Sequence, residues 1–319
     1  MSHTLLLRAR TIVTTLGAVA ALSFAQISHA AFSQIVSFGD SLSDAGNVFA
    51  ATGGATPTAP YVAGKFSNGD VWLDYLAADL GVAAPTASAF GGTNFAWGGS
   101  RTSLAGSIGQ PSAQVQVGQY LTATGGVADP NALYTILIGG NDINAFDGVG
   151  YGAAELAADG QLVATLAGDL LAAGAQSILV LNVPDLGAAP IADGNEAGAT
   201  SLTSLYNGNL AAALAGLGSP NVALLDTFTI SQNIVANPAA FGLTNVDDAC
   251  LDTSVPSLCG DPENYLFWDD LHPTTVGHEL IADAALVVAN NLAPVPLPAA
   301  LPMMMFALSG LIGVRKLRA

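Results

Sequence analysis

Short apolar runs alternate along the chain with stretches in which apolar residues recur at helical spacing. The apolar runs predict strands at 34–38, 133–138, 177–183 and 222–225. The periodic stretches predict helices at 71–80, 155–173, 201–217 and 277–292. Strand alternating with helix is typical of a parallel sheet covered by helices on both faces. We therefore expect one α/β domain over residues 32–292.

Residues 1–30 have the pattern of a secretory signal peptide. Arg8 and Arg10 precede an apolar stretch at 11–25, and small residues lead up to Ala30. Basic residues, an apolar run and a small-residue cleavage site in this order are what such a signal needs. We expect cleavage after Ala30 or Ala31 and an exported mature chain; a buried N-terminal helix is the alternative.

Residues 293–319 have the composition of a Pro/Ala-rich linker followed by a membrane-directed tail. The almost wholly apolar stretch 299–314 would span roughly 24 Å as a helix, the short limit for a bilayer core. The basic cluster at 315–318 marks the cytoplasmic side. With Val295-Pro296-Leu297-Pro298-Ala299 before it, this tail resembles the PEP-CTERM sorting signal of Gram-negative bacteria. The resemblance implies transient membrane attachment and an exosortase-type processing enzyme as a partner; a permanent one-pass anchor is the alternative.

Charge is distributed very unevenly once these two ends are set aside. Five of the seven basic residues lie in the ends, which leaves Lys65 and Arg101 in the body against all 24 acidic residues. The net charge of the body is therefore about −22. Such a surface repels phosphate backbones and anionic headgroups, so we expect no nucleic-acid partner.

Cys250 and Cys259 are the only cysteines of the chain. Disulfides persist in exported proteins, so we predict a bridge that closes the short loop between them. A reactive thiol is the alternative, although no nearby base or cation is evident in the sequence to activate it.

Ser41 follows the first predicted strand, in the turn Phe38-Gly39-Asp40-Ser41. In open parallel sheets, ligands bind beyond the carboxyl ends of the strands. A serine at a strand-to-helix turn presents its hydroxyl there, and the helix N-terminus favours an oxyanion. Ser41 is thus a candidate nucleophile; an ordinary turn with a serine cap is the alternative.

Only two histidines, His272 and His278, remain after the signal segment is removed. Asp269 precedes His272 by three residues, so it can fold back to hold one ring nitrogen while the other faces a serine. A base, an orienting carboxylate and a hydroxyl are what acyl transfer at neutral pH requires. We expect His278, inside the last predicted helix, to be a surface or capping residue, and we expect neither a metal nor a cofactor. The alternative is a metal site formed by Asp269, Asp270, His272 and His278.

Two glycine-rich turns offer hydrogen-bond donors to an oxyanion. Gly139-Gly140-Asn141 follows the most apolar strand, its glycines allow close backbone approach, and the Asn141 amide can donate. The turn at 94–99 offers a free backbone N–H.

Four blocks together resemble the motifs of the GDSL/SGNH hydrolases, in the same order: GDSLSDAGN at 39–47, NFAWGG at 94–99, GGND at 139–142 and DDLH at 269–272. KFSNGDVW at 65–72 and HPTTVGH at 272–278 are similar to stretches of lipolytic members. The resemblance implies a flavodoxin-like three-layer α/β/α sandwich with a central parallel sheet.

The same resemblance implies roles for individual residues. Ser41 matches the nucleophile, and Asp269 and His272 match the other members of the catalytic triad. Ser41, Gly99 and Asn141 match the oxyanion-hole donors, with Gly98 as the alternative to Gly99.

The function implied is hydrolysis of carboxylic esters through an acyl-enzyme, by a protein of the cell envelope or the extracellular space. The substrate would be a small-molecule, lipid or polysaccharide ester. A carbohydrate O-acetylesterase acting on extracellular polysaccharide is the near alternative. A non-catalytic extracellular matrix protein on the same fold is the alternative of a different class.

Overall fold

A computed structural model describes residues 32–255 and 257–293 of the chain. The predicted secretory signal and the predicted sorting tail lie outside the described residues, and both stay predictions. Within the described ranges, no helix is long and apolar enough to cross a membrane.

Four parallel strands form the central sheet in the order β1-β2-β3-β4. They are β1 Ile35–Gly39, β2 Leu133–Leu137, β3 Ile178–Leu181 and β4 Val222–Leu225. These are the four strands predicted from the sequence. The first three are buried along their whole length, which is why they read as continuous apolar runs rather than as alternating ones.

Eight α-helices surround the sheet in the described part of the chain. They are α1 Asn47–Ala51, α2 Trp72–Leu80, α3 Ala113–Ala123, α4 Gly140–Asn144, α5 Ala153–Ala172, α6 Glu196–Leu217, α7 Thr227–Ala236 and α8 Thr275–Leu292. The four predicted helices are confirmed as α2, α5, α6 and α8, with α6 beginning five residues earlier than predicted.

Two apolar clusters on opposite faces of the sheet make the three layers. Along β2, Tyr134 and Ile136 join the cluster packed by α3, α5 and α6, whereas Leu133 and Leu137 join the cluster packed by α2 and α8. This alternation follows from the two-residue period of a strand. The three-layer α/β/α sandwich is therefore confirmed.

Four helices were not predicted: the short helices α1 and α4, and the longer helices α3 and α7, which were missed for two different reasons. In α3, a buried glutamine, Gln116, interrupts the apolar pattern. In α7, the sequence TFTISQNIVA is rich in β-branched residues, which have weak helix preference, so its pattern does not distinguish helix from strand.

The edge of the sheet beside β1 differs from the flavodoxin-like order, in which a further strand lies there. Here Asn94 forms an isolated parallel bridge with Ser37. At Gly39 a side chain completes the edge: the Gly39 N–H donates to Gln116 Oε1 at 2.8 Å, and Gln116 Nε2 donates to the Gly39 carbonyl at 2.9 Å. The segment 93–97 bonds to the rest of this edge, and the amide of Gln116 supplies the acceptor that this segment does not offer to the Gly39 N–H.

A smaller region of strands precedes the last helix. β5 Asn245–Ala249 pairs in parallel with β8 Tyr265–Phe267, and β6 Leu251–Asp252 pairs antiparallel with β7 Ser257–Leu258. A disulfide bond joins Cys250 to Cys259 across the β6–β7 hairpin. Cys250 packs against Trp268, so the bridge supports the segment that leads directly into Asp269.

Candidate active site

Ser41, His272 and Asp269 form a continuous hydrogen-bonded chain at the carboxyl edge of the sheet. Ser41 Oγ lies 2.8 Å from His272 Nε2. His272 Nδ1 lies 2.9 Å and 2.7 Å from the two carboxylate oxygens of Asp269. The structure therefore brings together three predicted residues, two of which are separated by 231 positions in the sequence.

Asp269 is held as a carboxylate by a ring of donors. Its Oδ1 accepts the backbone N–H groups of Leu271 at 2.8 Å and His272 at 2.7 Å, and its Oδ2 accepts the Tyr61 hydroxyl at 2.6 Å. Burial alone would raise the pKa of Asp269, but the interactions with His272 and the Tyr61 hydrogen bond outweigh it and lower this pKa to about 2. Asp269 is therefore ionised wherever His272 can act as a base.

The ring of His272 also packs against Phe66, with 5.3 Å between the ring centroids. Phe66 in turn approaches Gly98 so closely that a Cβ at position 98 would lie 2.3 Å from the phenyl ring. Neither Tyr61 nor Phe66 was predicted as a site residue. Phe66 lies within the KFSNGDVW stretch, and that similarity could have indicated a role in the site. No sequence pattern pointed to Tyr61.

Ser41 lies in a turn, and no helix begins directly after it. The Ser43 N–H donates to the Asp40 carbonyl at 3.1 Å, and α1 begins only at Asn47, after Gly46 with a φ of 110°. The expectation that a helix N-terminus stands at Ser41 is therefore wrong. The buried carboxylate of Asp44 instead collects the backbone N–H groups ahead of α1, including those of Gly46 and Asn47 at 2.7 Å and 2.6 Å.

Gly98 and Gly99 differ in whether their N–H groups are engaged. The Gly98 N–H donates to Asp44 Oδ2 at 2.8 Å. The N–H groups of Gly99 and Ser41 have no hydrogen-bond acceptor among the described residues. Gly99 has a φ of 81°, a left-handed conformation that favours glycine. Of the two alternatives, Gly99 is the one with an N–H left for a ligand.

Asn141 lies at the start of α4 and lines the same cavity as Ser41 and His272. One N–H of its amide donates to the Ser100 carbonyl at 2.9 Å, which leaves the other N–H for a ligand. Gln116 Nε2 also donates to Ser100 Oγ at 3.1 Å. Ser100 is therefore linked both to Asn141 and, through Gln116, to the end of the strand that precedes Ser41.

Asp142, the last residue of the GGND block, fixes α4 to the loop that follows Gly99. Its Oδ2 accepts the Thr102 N–H at 2.9 Å and the Thr102 hydroxyl at 3.0 Å, and its Oδ1 lies 3.4 Å from Arg101 Nε. Burial, and next the neighbouring Asp159, raise the pKa of Asp142 to about 6. Asp142 had no predicted role, although it belongs to the GGND motif.

A second buried carboxyl, Asp40, stands beside Ser41. Its Oδ1 accepts the Leu42 N–H at 3.1 Å. Burial raises the pKa of Asp40 to about 7, against the lowering effects of the Leu42 N–H and of His272. The protonated and ionised forms of Asp40 therefore coexist at neutral pH.

His278 does not reach the site. The expectation of a surface or capping residue is wrong: His278 is completely buried in α8, and neither ring nitrogen has a hydrogen-bond partner among the described residues. Burial lowers the pKa of His278 to about 3, so the ring is neutral. The alternative metal site would need this ring beside His272 and Asp269, but those two bind each other. No group of three or more metal-binding side chains exists within residues 32–255 and 257–293.

Comparison with known proteins identifies the family. The model of the GDSL-like lipase/acylhydrolase family matches residues 35–285. The phosphatidylcholine-sterol acyltransferase of Aeromonas hydrophila is 28% identical over 86% of this chain and 95% of that protein. The thermolabile hemolysin of Vibrio parahaemolyticus is 30% identical over 82% of this chain and 64% of that protein. An acetylxylan esterase structure from Geobacillus stearothermophilus aligns with a TM-score of 0.42 and 16% identity, covering 83% of this chain and 97% of that one.

The family match covers well over half of the chain and includes all four sequence blocks that suggested it. The chain therefore belongs to the GDSL-like lipase/acylhydrolase family and is a hydrolase that acts on ester bonds.

Proposed function

We propose that the protein hydrolyses carboxylic esters in two steps, through an acyl-enzyme formed on Ser41. His272, oriented by Asp269, takes the Ser41 proton as the hydroxyl oxygen attacks the ester carbonyl carbon. The tetrahedral intermediate collapses, and the leaving alcohol departs with the proton from His272. Water, deprotonated by His272, then attacks the acyl carbonyl carbon; the bond to Ser41 Oγ breaks, His272 returns the proton to Ser41 Oγ, and the carboxylic acid leaves. The observation that carries this proposal is the 2.8 Å contact between Ser41 Oγ and His272 Nε2, with Asp269 on the other ring nitrogen.

Three donors stabilise the oxyanion in this mechanism: the N–H groups of Ser41 and Gly99 and the side-chain amide of Asn141. The support is that the two backbone groups have no other acceptor among the described residues and that the Asn141 amide has one N–H to spare. Donors already in place when charge develops accelerate acyl transfer without reorganisation.

The test is hydrolysis of p-nitrophenyl acetate by purified variants. Ser41→Ala and His272→Ala should abolish turnover while the fold is retained, and Asn141→Ala should lower kcat by about 10²–10³-fold. Ser204→Ala is the control: Ser204 is an exposed residue of α6, and this variant should stay active. Wild-type turnover by Ser41→Ala would refute the proposal.

The mature protein is exported and is delivered to the cell envelope or the extracellular space by the two terminal segments. The support is the order of basic, apolar and small residues at 1–30, and of the 295–299 motif, apolar span and basic cluster at the other end. Mass spectrometry of the protein from cell fractions tests this. A mature chain that starts at residue 31 or 32 is expected, and an unprocessed cytoplasmic chain would contradict it. The mass of the C-terminal peptide shows whether an exosortase-type enzyme has removed the tail or whether the tail remains as a permanent anchor.

A further inference from the structure

The cavity beside Ser41 lies where three apolar clusters of the protein meet. Two are the clusters on the faces of the sheet, and the third lies between α7, β5 and β8. The cavity wall takes residues from each: Leu137 and Ile281 from one face, Ile138 and Val183 from the other, and Ile234 and Leu266 from the third cluster. A cavity at such a junction has apolar walls on several sides.

The polar groups of the wall divide into two sets. Ser41, Asn141, His272 and Asp40 form the reacting end. The others, Asp185, Thr227 and Ser231, already have protein partners. Asp185 accepts from Gly187, Thr200 and Gln232, the Thr227 hydroxyl donates to Asn182, and the Ser231 hydroxyl donates to the Phe228 carbonyl. Beyond the reacting end the wall therefore offers few free hydrogen-bonding groups to a sugar.

We infer that this cavity binds the acyl chain of the ester, and that the substrates are esters of aliphatic acids longer than acetate. This inference rests on the proposed acyl-enzyme. After the first step the alcohol must leave and water must enter, whereas the acyl group stays attached to Ser41. An apolar cavity suits the group that stays.

The size of the cavity sets the expected chain length. Its volume is about 70 Å³, and a water-sized group needs about 10–15 Å³ on this scale, so about five to seven such groups fit. A methylene group is of similar size. The preferred acyl groups are therefore hexanoyl to octanoyl, counting the carbonyl carbon.

The size of the side chain at position 230, an isoleucine of α7, should affect the length of acyl chain that the cavity accepts. Ile230 lines the cavity, is partly buried, and packs against both the α2–α8 cluster and the cluster under α7. A larger side chain at position 230 would fill part of the cavity, and a smaller one would enlarge it.

The experiment measures kcat/KM for p-nitrophenyl acetate, butyrate, hexanoate, octanoate and palmitate. Burial of each methylene should raise kcat/KM about fourfold, up to hexanoate or octanoate, after which it should fall. Ile230→Phe should lower the octanoate-to-acetate ratio at least tenfold, and Ile230→Ala should move the optimum to a longer chain. Asn233→Phe places the same ring on the exposed side of α7 and should leave the profile unchanged.

Three results would overturn the inference. One is an acetate optimum in the wild type, which would favour a sugar O-acetylesterase, tested directly with acetylated xylan. Another is an equal change in kcat/KM for esters of every chain length in both Ile230 variants. For a matched series of acetate esters, kcat/KM should not change as the alcohol becomes longer. The third result is a strong rise in kcat/KM along this series, which would place the alcohol in the cavity. Failure of the Ser41 mechanism is a separate outcome, since it requires hydrolysis that persists in Ser41→Ala.

Discussion

The side chain of Gln116 provides the sharpest test of how the site is held together. Gln116→Met keeps the length of the side chain but removes its amide. The Gly39 N–H then loses its acceptor, whereas the Gly39 carbonyl keeps the Trp97 N–H at 3.1 Å and Ser100 Oγ keeps the Pro111 carbonyl at 2.8 Å. The variant thus leaves one buried backbone donor without a partner.

The expected loss of stability follows from this single donor without an acceptor. A buried donor without an acceptor costs about 1–3 kcal/mol. For a domain of this size, each kcal/mol corresponds to about 2–4 °C in Tm, so Tm should fall by about 2–12 °C. Because Gln116 also connects Gly39 to Ser100, the nucleophile and the donors beside Ser100 lose their common support. A displacement of about 1 Å can cost about 10²-fold in rate, so kcat should fall by about 10–100-fold with little change in KM.

Calorimetry and hydrolysis of p-nitrophenyl butyrate measure the two effects on the same preparation. Gln119→Met is the control, because Gln119 is an exposed glutamine on the same helix, and its Tm and kcat should match the wild type. If Gln116→Met has the Tm of the wild type, the amide does not satisfy Gly39. If Tm falls but kcat is unchanged, Gln116 stabilises the sheet edge without positioning the site.

Three further changes test other parts of the site. Tyr61→Phe removes a charge-assisted hydrogen bond to Asp269 and should lower kcat about tenfold; an unchanged rate would show that the bond is dispensable. Asp40 binds a proton up to about pH 7 when folded but only to about pH 3.8 when unfolded, so stability should fall as pH rises from 4 to 7, by up to about 4 kcal/mol. Asp40→Asn should flatten that part of the urea-denaturation profile, and an identical slope would contradict the assignment. Replacing Cys250 and Cys259 by alanine should destabilise the fold by about 2–3 kcal/mol, from the short loop they close; chemical denaturation measures it, and an unchanged midpoint would refute it.

The sequence by itself determined the four strands of the central sheet, the layers and the types of residue in the site. Apolar runs such as 133–138 and helical spacing such as 155–173 are local patterns, so they can be read without knowing what packs against them. The position of Ser41 and Asn141 at one edge of the sheet follows from the strands that precede them. The pairing of Asp269 with His272 could be anticipated because only three residues separate them.

Tertiary structure alone decided which other groups surround these residues. The Tyr61 hydroxyl meets Asp269 across 208 positions, and Gln116 meets Gly39 across 77. The choice between Gly98 and Gly99 depends on Asp44, a residue of a different loop. The cavity takes its walls from strands and helices distributed over most of the domain. Contacts of this kind depend on how the elements pack in three dimensions, and no local period or spacing in the chain encodes them.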